Sequence, residues 1–117
     1  MPAPRTLLTV DVVFDAAHRL GTDRGPCRGL HGHSYRVRVT VRQAEGVACD
    51  LAGLRALVQD RVWTPLDHSL LNDTLEEPTA ERVAGWIWTT LSDAAPSLLE
   101  VSVSEASDRT VTLRGES

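Results

Sequence analysis

The chain has 117 residues, a formal net charge of −4 and an ordinary globular composition of 42% hydrophobic and 24% charged residues. We therefore expect one domain over residues 1–117, and the acidic balance argues against a broad nucleic-acid-binding surface. No segment has the apolar length of a secretory signal or a membrane span, which predicts a cytoplasmic protein whose two cysteines stay reduced.

The first two predicted elements are β-strands. Apolar and polar residues alternate over residues 6–18, which is typical of a strand with one buried face. Three glycines, a proline and four charged residues predict a loop over residues 19–29. The alternation resumes over residues 33–43, where Tyr35 and three valines share one side of the predicted strand.

Two helices and two short strands follow. Asp50 can cap a helix over residues 51–62, and Thr79 can cap a second helix that ends near Ser92. The connection over residues 64–78 is irregular, and strands are predicted over residues 99–105 and 110–113. This order predicts an α+β fold, with a four-stranded antiparallel sheet and both helices packed on one of its faces.

Polar residues continue the buried side of three predicted strands. In an extended segment His31 and His33 project to the same face, because side chains two residues apart share a side. His18 continues the buried side of the first strand and Glu105 that of the third. Unpartnered polar groups on a buried face are costly, so this placement favours a metal site for the His-x-His pair. The alternative for the His-x-His pair is two surface histidines beside a loop.

Three neutral imidazoles are typical of a tetrahedral catalytic zinc site with one position left for water or substrate. Nitrogen ligands favour Zn²⁺ over Mg²⁺ or Ca²⁺, which prefer several oxygen ligands. Cys27 lies in the predicted loop, where a nearby cation would lower the pKa of its thiol and make it reactive. Alternatively, Cys27 is a fourth, structural zinc ligand.

A second candidate site is the Asp67-His68 pair between the two predicted helices. Asp67 could orient or charge the imidazole, and with Cys27 the pair would supply a thiolate, an imidazole and a carboxylate for proton transfer. Otherwise the pair belongs to a solvated loop. The Glu105 carboxylate could bind an N–H-rich heterocycle through two parallel hydrogen bonds, or form a surface ion pair.

Six short motifs occur in one order along the chain. They are Phe14-Asp-Ala-Ala-His18, Cys27-x-x-x-His31-Gly32-His33, Asp50, Leu66-Asp67-His68-x-x-Leu71-Asn72, Pro78-Thr79-Ala80-Glu81 and Val103-x-Glu105. With these motifs the chain resembles the 6-pyruvoyltetrahydropterin synthase and 6-carboxytetrahydropterin synthase superfamily. The chain departs from the family pattern at Glu77, where Asn is common, and at Ala106, where Thr or Ser is more usual.

The resemblance implies the tunnelling fold, in which three subunits close a barrel and two trimers stack into a homohexamer. Active sites then lie between subunits, and the sheet face that bears Arg36, Arg38 and Arg42 lines the barrel lumen. The resemblance also implies that the substrate is 7,8-dihydroneopterin triphosphate, whose hydroxylated side chain contacts the zinc.

The same resemblance assigns a role to each candidate residue. Zinc would be held by His18, His31 and His33. Proton transfer would be carried out by Cys27, Asp67 and His68. The pterin ring would be anchored by Glu105.

The spacing between Cys27 and His31 separates two branches of the family. Three intervening residues are similar to the bacterial carboxy-type enzymes of queuosine and deazapurine biosynthesis. Those enzymes release triphosphate and acetaldehyde and leave 6-carboxy-5,6,7,8-tetrahydropterin. The alternatives are a pyruvoyl-type synthase, which eliminates triphosphate, and a non-catalytic, zinc-stabilised assembly module.

Overall fold

The computed structural model describes residues 4–20, 30–44 and 50–115, and at His31 it describes the backbone alone. Cys27 and Cys49 lie outside the described residues. No helix in the described ranges is long and apolar enough to cross a membrane.

Five strands form one mixed sheet in the order β3-β1-β2-β4-β5. Their bounds are β1 Leu7–His18, β2 His31–Arg42, β3 Ser69–Leu70, β4 Leu98–Ala106 and β5 Arg109–Arg114. The four predicted strands are confirmed, and β1, β2, β4 and β5 pair antiparallel. The prediction of a purely four-stranded sheet is wrong by one short strand. β3 pairs in parallel with the end of β1, because part of the connection between the helices runs along that edge.

The first helical segment is longer than predicted. Helix α1, Leu51–Val58, begins at Asp50, whose side chain accepts a 2.7 Å hydrogen bond from the Gly53 N–H. It continues through a π-helical turn at Gln59–Trp63 into helix α2, Thr64–Leu66. The predicted end at residue 62 is therefore early.

The π-helical turn explains how the helical segment passes Pro65. The Thr64 N–H and hydroxyl both donate to the Gln59 carbonyl, five residues back rather than four. A proline inside a regular helix clashes with the carbonyl four residues before it, and a wider turn relieves that clash. Helix α3, Ala80–Ser92, begins as predicted at Thr79, whose hydroxyl accepts from the Arg82 N–H.

The hydrophobic core lies between the helices and one face of the sheet. The predicted buried side of β2 is confirmed, since Tyr35 and the valines at 37, 39 and 41 are fully buried. Leu54 and Val58 from α1 and Ile87 and Leu91 from α3 complete this layer. The opposite sheet face is mostly polar, with Leu7 and Val13 of β1 exposed on it, and it carries no described helix.

The pairing of β1 with β2 places the histidines of the two strands at the same end of the sheet. The register runs without a bulge until His18 faces His31, with Ala16 opposite His33. Directly opposed residues of an antiparallel pair share a face, so His18 and His33 both belong to the helix-covered side, and the His31 main chain lies opposite His18. A bulge in this ladder would have turned one of them to the other side.

Candidate active site

His18 and His33 face each other at the end of the β1–β2 pair. Their Nε2 atoms lie 3.2 Å apart, and the rings are nearly perpendicular at a centroid distance of 4.9 Å. A tetrahedral zinc with metal–nitrogen distances of about 2.0–2.1 Å separates two nitrogen ligands by about 3.3 Å. The spacing therefore fits two ligands of one such ion.

The hydrogen bonds of His18 determine which ring nitrogen is available as a ligand. This side chain is only 2% exposed, and its Nδ1 lies 3.0 Å from the Pro78 carbonyl oxygen and 3.2 Å from the Tyr35 hydroxyl. A carbonyl oxygen can only accept, so Nδ1 carries the proton and Nε2 keeps its lone pair directed at His33. A metal-binding histidine is oriented in this way by an outer hydrogen bond.

Glu105 belongs to the same cluster. The closest ligand atoms of His18, His33 and Glu105 all lie within 4.8 Å of one another. Burial, with a contribution from the Glu105 charge, raises the pKa of Tyr35, so its hydroxyl keeps its proton beside the cluster. A pocket of about 250 Å³ next to Glu105 is also lined by Val103 and Arg109. The cluster thus combines nitrogen donors with a carboxylate at the rim of a pocket.

Asp67 and His68 form a hydrogen-bonded pair at the edge of the sheet. His68 Nδ1 lies 2.6 Å from Asp67 Oδ2, and an ionised carboxylate can only accept, so Nδ1 donates. This hydrogen bond raises the pKa of His68, and the charge of Asp67 raises it further. His68 Nε2 is left to exchange protons, since the side chain is 79% exposed.

Backbone strain marks both clusters. In the described part of the chain, the non-glycine residues with positive φ are His68 at 55° and Glu77 at 45°. Such a conformation costs about 1–3 kcal/mol and is often found at functional sites. Glu77 directly precedes Pro78, whose carbonyl meets His18. Asparagine adopts positive φ more readily than glutamate, so Glu77, in place of the Asn that the resemblance implies, adds to the backbone strain.

The structure therefore arranges the predicted site residues in two clusters, one with His18, His33 and Glu105 and one with Asp67 and His68. An open depression of about 500 Å³ is lined by both His33 and His68. His31 is placed by its backbone opposite His18, and Cys27 lies outside the described residues.

Three contributing residues were not singled out from the sequence. Tyr35 lies on the apolar side of β2, so the sequence predicts a core residue rather than a partner of His18. Pro78 contacts His18 through its main-chain carbonyl, a group that every residue type has, so its role could not be predicted from the residue type. A carboxylate oxygen of Asp15 lies within 4.8 Å of ligand atoms of both Asp67 and His68. In the sequence, Asp15 is a member of the motif that ends at His18, but no role was predicted for it. The positions of Pro78 and Asp15 in family motifs were the available signals.

A mostly antiparallel sheet with its helices on one face, and histidines at the adjoining ends of its first two strands, defines a protein of the tunnelling-fold class. The structure of Caenorhabditis elegans 6-pyruvoyl tetrahydropterin synthase matches it with a TM-score of 0.81 and 25% identity, covering 97% of each chain. The Plasmodium falciparum enzyme of the same name matches with a TM-score of 0.73, which supports the fold.

Sequence comparison identifies the family within that class. The chain belongs to the 6-pyruvoyl tetrahydropterin synthase family, which it matches over residues 7–116. It is 42% identical to a 6-carboxy-5,6,7,8-tetrahydropterin synthase of Synechocystis over 103 residues, covering 79% of this chain and 80% of the relative. It is 34% identical to human 6-pyruvoyl tetrahydrobiopterin synthase, covering 90% and 88%. The predicted resemblance is confirmed, and the relatives are pterin synthases.

Proposed function

We propose that this protein is a zinc-dependent 6-carboxy-5,6,7,8-tetrahydropterin synthase. It converts 7,8-dihydroneopterin triphosphate and water to 6-carboxytetrahydropterin, acetaldehyde and triphosphate. The main support for the metal site is the 3.2 Å distance between the Nε2 atoms of His18 and His33. The Nδ1 proton of His18 is donated to the Pro78 carbonyl, which leaves Nε2 as the ligand atom. The choice of reaction is supported by the identity with the Synechocystis enzyme and by the three-residue gap between Cys27 and His31.

The proposed zinc ligands are His18, His31 and His33. Bound there, zinc supplies Lewis-acid chemistry by polarising oxygens of the substrate side chain. The buried Pro78 carbonyl holds the His18 ring in the tautomer that a neutral ligand requires.

The remaining residues bind the substrate and move protons. Glu105 accepts from N–H groups of the pterin ring, which would occupy the adjoining pocket. Cys27 acts as a general base or proton relay. His68, oriented through its Nδ1 by Asp67, exchanges a proton at Nε2. Two proton-transfer groups allow a carbon-bound proton to be removed at one position and returned at another.

We also propose that the chain is a single domain that assembles into a cytoplasmic homohexamer. Within the described sheet, β5 has an edge without a partner strand, and the helix-free face carries Arg36 and Arg38. Closure of several sheets into a barrel would pair such edges and enclose this face.

Product analysis tests the proposed reaction. Incubation of the zinc-loaded protein with 7,8-dihydroneopterin triphosphate is expected to release acetaldehyde and triphosphate in equal amounts, with 6-carboxytetrahydropterin identified by mass. A pyruvoyl product without acetaldehyde would instead establish the pyruvoyl-type synthase, a reaction supported by the similarity to the human enzyme. Zinc binding without turnover of this substrate would favour the assembly module in which Cys27 is a fourth ligand.

Tyr35→Phe is expected to weaken zinc binding while leaving the core filled. The substitution removes only the hydroxyl that lies 3.2 Å from His18 Nδ1, so the ring is held less firmly. Loss of an outer partner of a metal ligand typically lowers affinity about 10–100-fold. Competition with a chromogenic chelator measures the change. Thr40→Val, which removes a β2 hydroxyl bonded to Thr9 in the same sheet, is the control and should bind zinc normally. Equal affinity of wild type and Tyr35→Phe would refute this role.

A further inference from the structure

Residue 15 of β1 is bound to both members of the Asp67–His68 pair through its main chain. The Asp15 N–H donates to Asp67 Oδ1 at 3.1 Å, and the Asp15 carbonyl accepts from the His68 N–H at 2.6 Å. The parallel pairing of β3 with β1 begins at the next residue, where Ala16 faces Ser69. The main chain of β1 therefore holds both Asp67 and His68 in place through hydrogen bonds at Asp15.

The side chain of Asp15 faces the same pair. Its carboxylate accepts a short hydrogen bond from the hydroxyl of Ser34, which lies directly opposite on β2. Ligand atoms of Asp15, Asp67 and His68 lie within 4.8 Å of one another. Two carboxylates thus face one imidazole, but only Asp67 is hydrogen-bonded to the ring.

We propose that Asp15 is a positioning residue for His68, fixing the Asp67–His68 pair through its main chain and favouring the charged imidazole through its Ser34-bound carboxylate. The inference deepens the proposed function, because it rests on His68 as a proton-transfer group. Asp15 acts through His68 and Asp67 rather than on the substrate.

The electrostatics of the cluster agree with this role. Among the residues that the structure describes, the titratable groups around His68 are Asp67 from the connection, Asp15 from β1 and His33, which lines the same depression from β2. The pKa of His68 is raised first by its hydrogen bond to Asp67 and then by the Asp67 charge, is lowered by desolvation, and is raised again by the smaller contribution of the Asp15 charge. Asp15 therefore extends the pH range over which His68 can donate a proton.

The same strand pair also connects the two clusters. Ser34, which holds the Asp15 carboxylate, immediately follows His33 on β2, and the two side chains point to opposite faces of the strand. One strand segment consequently orients a proposed zinc ligand on one side and a positioning carboxylate on the other.

Asp15→Asn in the zinc-loaded protein tests the proposal. Asparagine keeps the main-chain contacts and an acceptor for Ser34 but removes the charge. The pKa of His68, followed by NMR titration of its ring C–H signal and assigned from its absence in His68→Gln, should fall. The expected fall is about half a unit, as for one charge at about 5 Å in a water-like dielectric. The alkaline limb of kcat should move the same way, with KM unchanged.

Two variants separate this effect from a general loss of charge. Asp11→Asn removes a carboxylate from the same face of β1 that is paired with Arg38 instead, and it should leave the pKa of His68 unchanged. Asp15→Glu should restore the wild-type value to within a few tenths of a unit. An unchanged pKa in Asp15→Asn, or an equal fall in Asp11→Asn, would overturn the proposal. Because the NMR titration does not require turnover, failure of the proposed reaction would be seen separately, in the product assay.

Discussion

Replacing His33 by alanine is expected to remove the bound zinc and abolish turnover. The substitution deletes one of three proposed nitrogen ligands and leaves His18 Nε2 without the partner that now lies 3.2 Å away. Loss of a direct ligand should weaken zinc binding by more than about 100-fold, because losing only a hydrogen-bond partner of a ligand already weakens it by up to that factor. Metal content after dialysis and acetaldehyde release measure the two effects.

A stability measurement provides an independent check on this result. An ion that binds only the folded state raises its stability in proportion to the logarithm of the ion concentration. Added zinc should therefore raise the Tm of the wild type and leave that of His33→Ala nearly unchanged. His68→Ala, which removes an imidazole from the same depression, is the matched control and should keep the zinc response. Full zinc content in His33→Ala would contradict the proposed ligand set.

His68→Ala is expected to lower kcat about 10²–10⁴-fold, the usual contribution of a positioned proton-transfer group. Zinc content should stay near one per chain, because His68 and the His18–His33 pair belong to different clusters. Turnover by the product assay and metal analysis of the same sample distinguish this outcome from a loss of metal. Loss of zinc from His68→Ala would refute the separation of roles.

The pH profile shows whether Asp67 acts on His68 as the structure indicates. The hydrogen bond from Nδ1 to Asp67 raises the pKa of His68, so the imidazolium persists to higher pH than in the unfolded chain. In Asp67→Asn that pKa should fall, and any limb of the kcat profile set by His68 should move to lower pH. This direction holds whether His68 donates or accepts the proton, and a limb that stays in place would argue against His68 as its origin.

Much of the sheet could be predicted because side chains alternate strictly along a strand. The burial of Phe14 and Tyr35 follows from that alternation, and it extends to His18 because no bulge interrupts the β1–β2 ladder. The caps at Asp50 and Thr79 were equally visible, since their side chains satisfy N–H groups of the first helical turn.

The parts that could not be predicted depend on main-chain geometry. The parallel strand at Ser69–Leu70 is two residues long, too short for a pattern, and it forms only because β1 offers a free edge. Pro78 and Asp15 act on His18 and His68 through main-chain carbonyls, which every residue carries. The helical residues after Thr64 could not be predicted, because a proline such as Pro65 is accommodated in a helical segment only by a wider turn that the sequence pattern does not reveal.

The proposed chemistry therefore depends on the number of residues in the π-helical turn. Deleting one residue from Gln59–Trp63 would restore a regular helix, in which Pro65 clashes with the carbonyl four residues before it and kinks or ends the helix. Asp67 follows directly on the last helical residue, Leu66, so it and His68 would leave the helix in a different direction and miss the edge of β1. Insertions and deletions are thus expected to be excluded from this stretch during evolution. A redesign of the protein can vary residue types there, but it must keep their number.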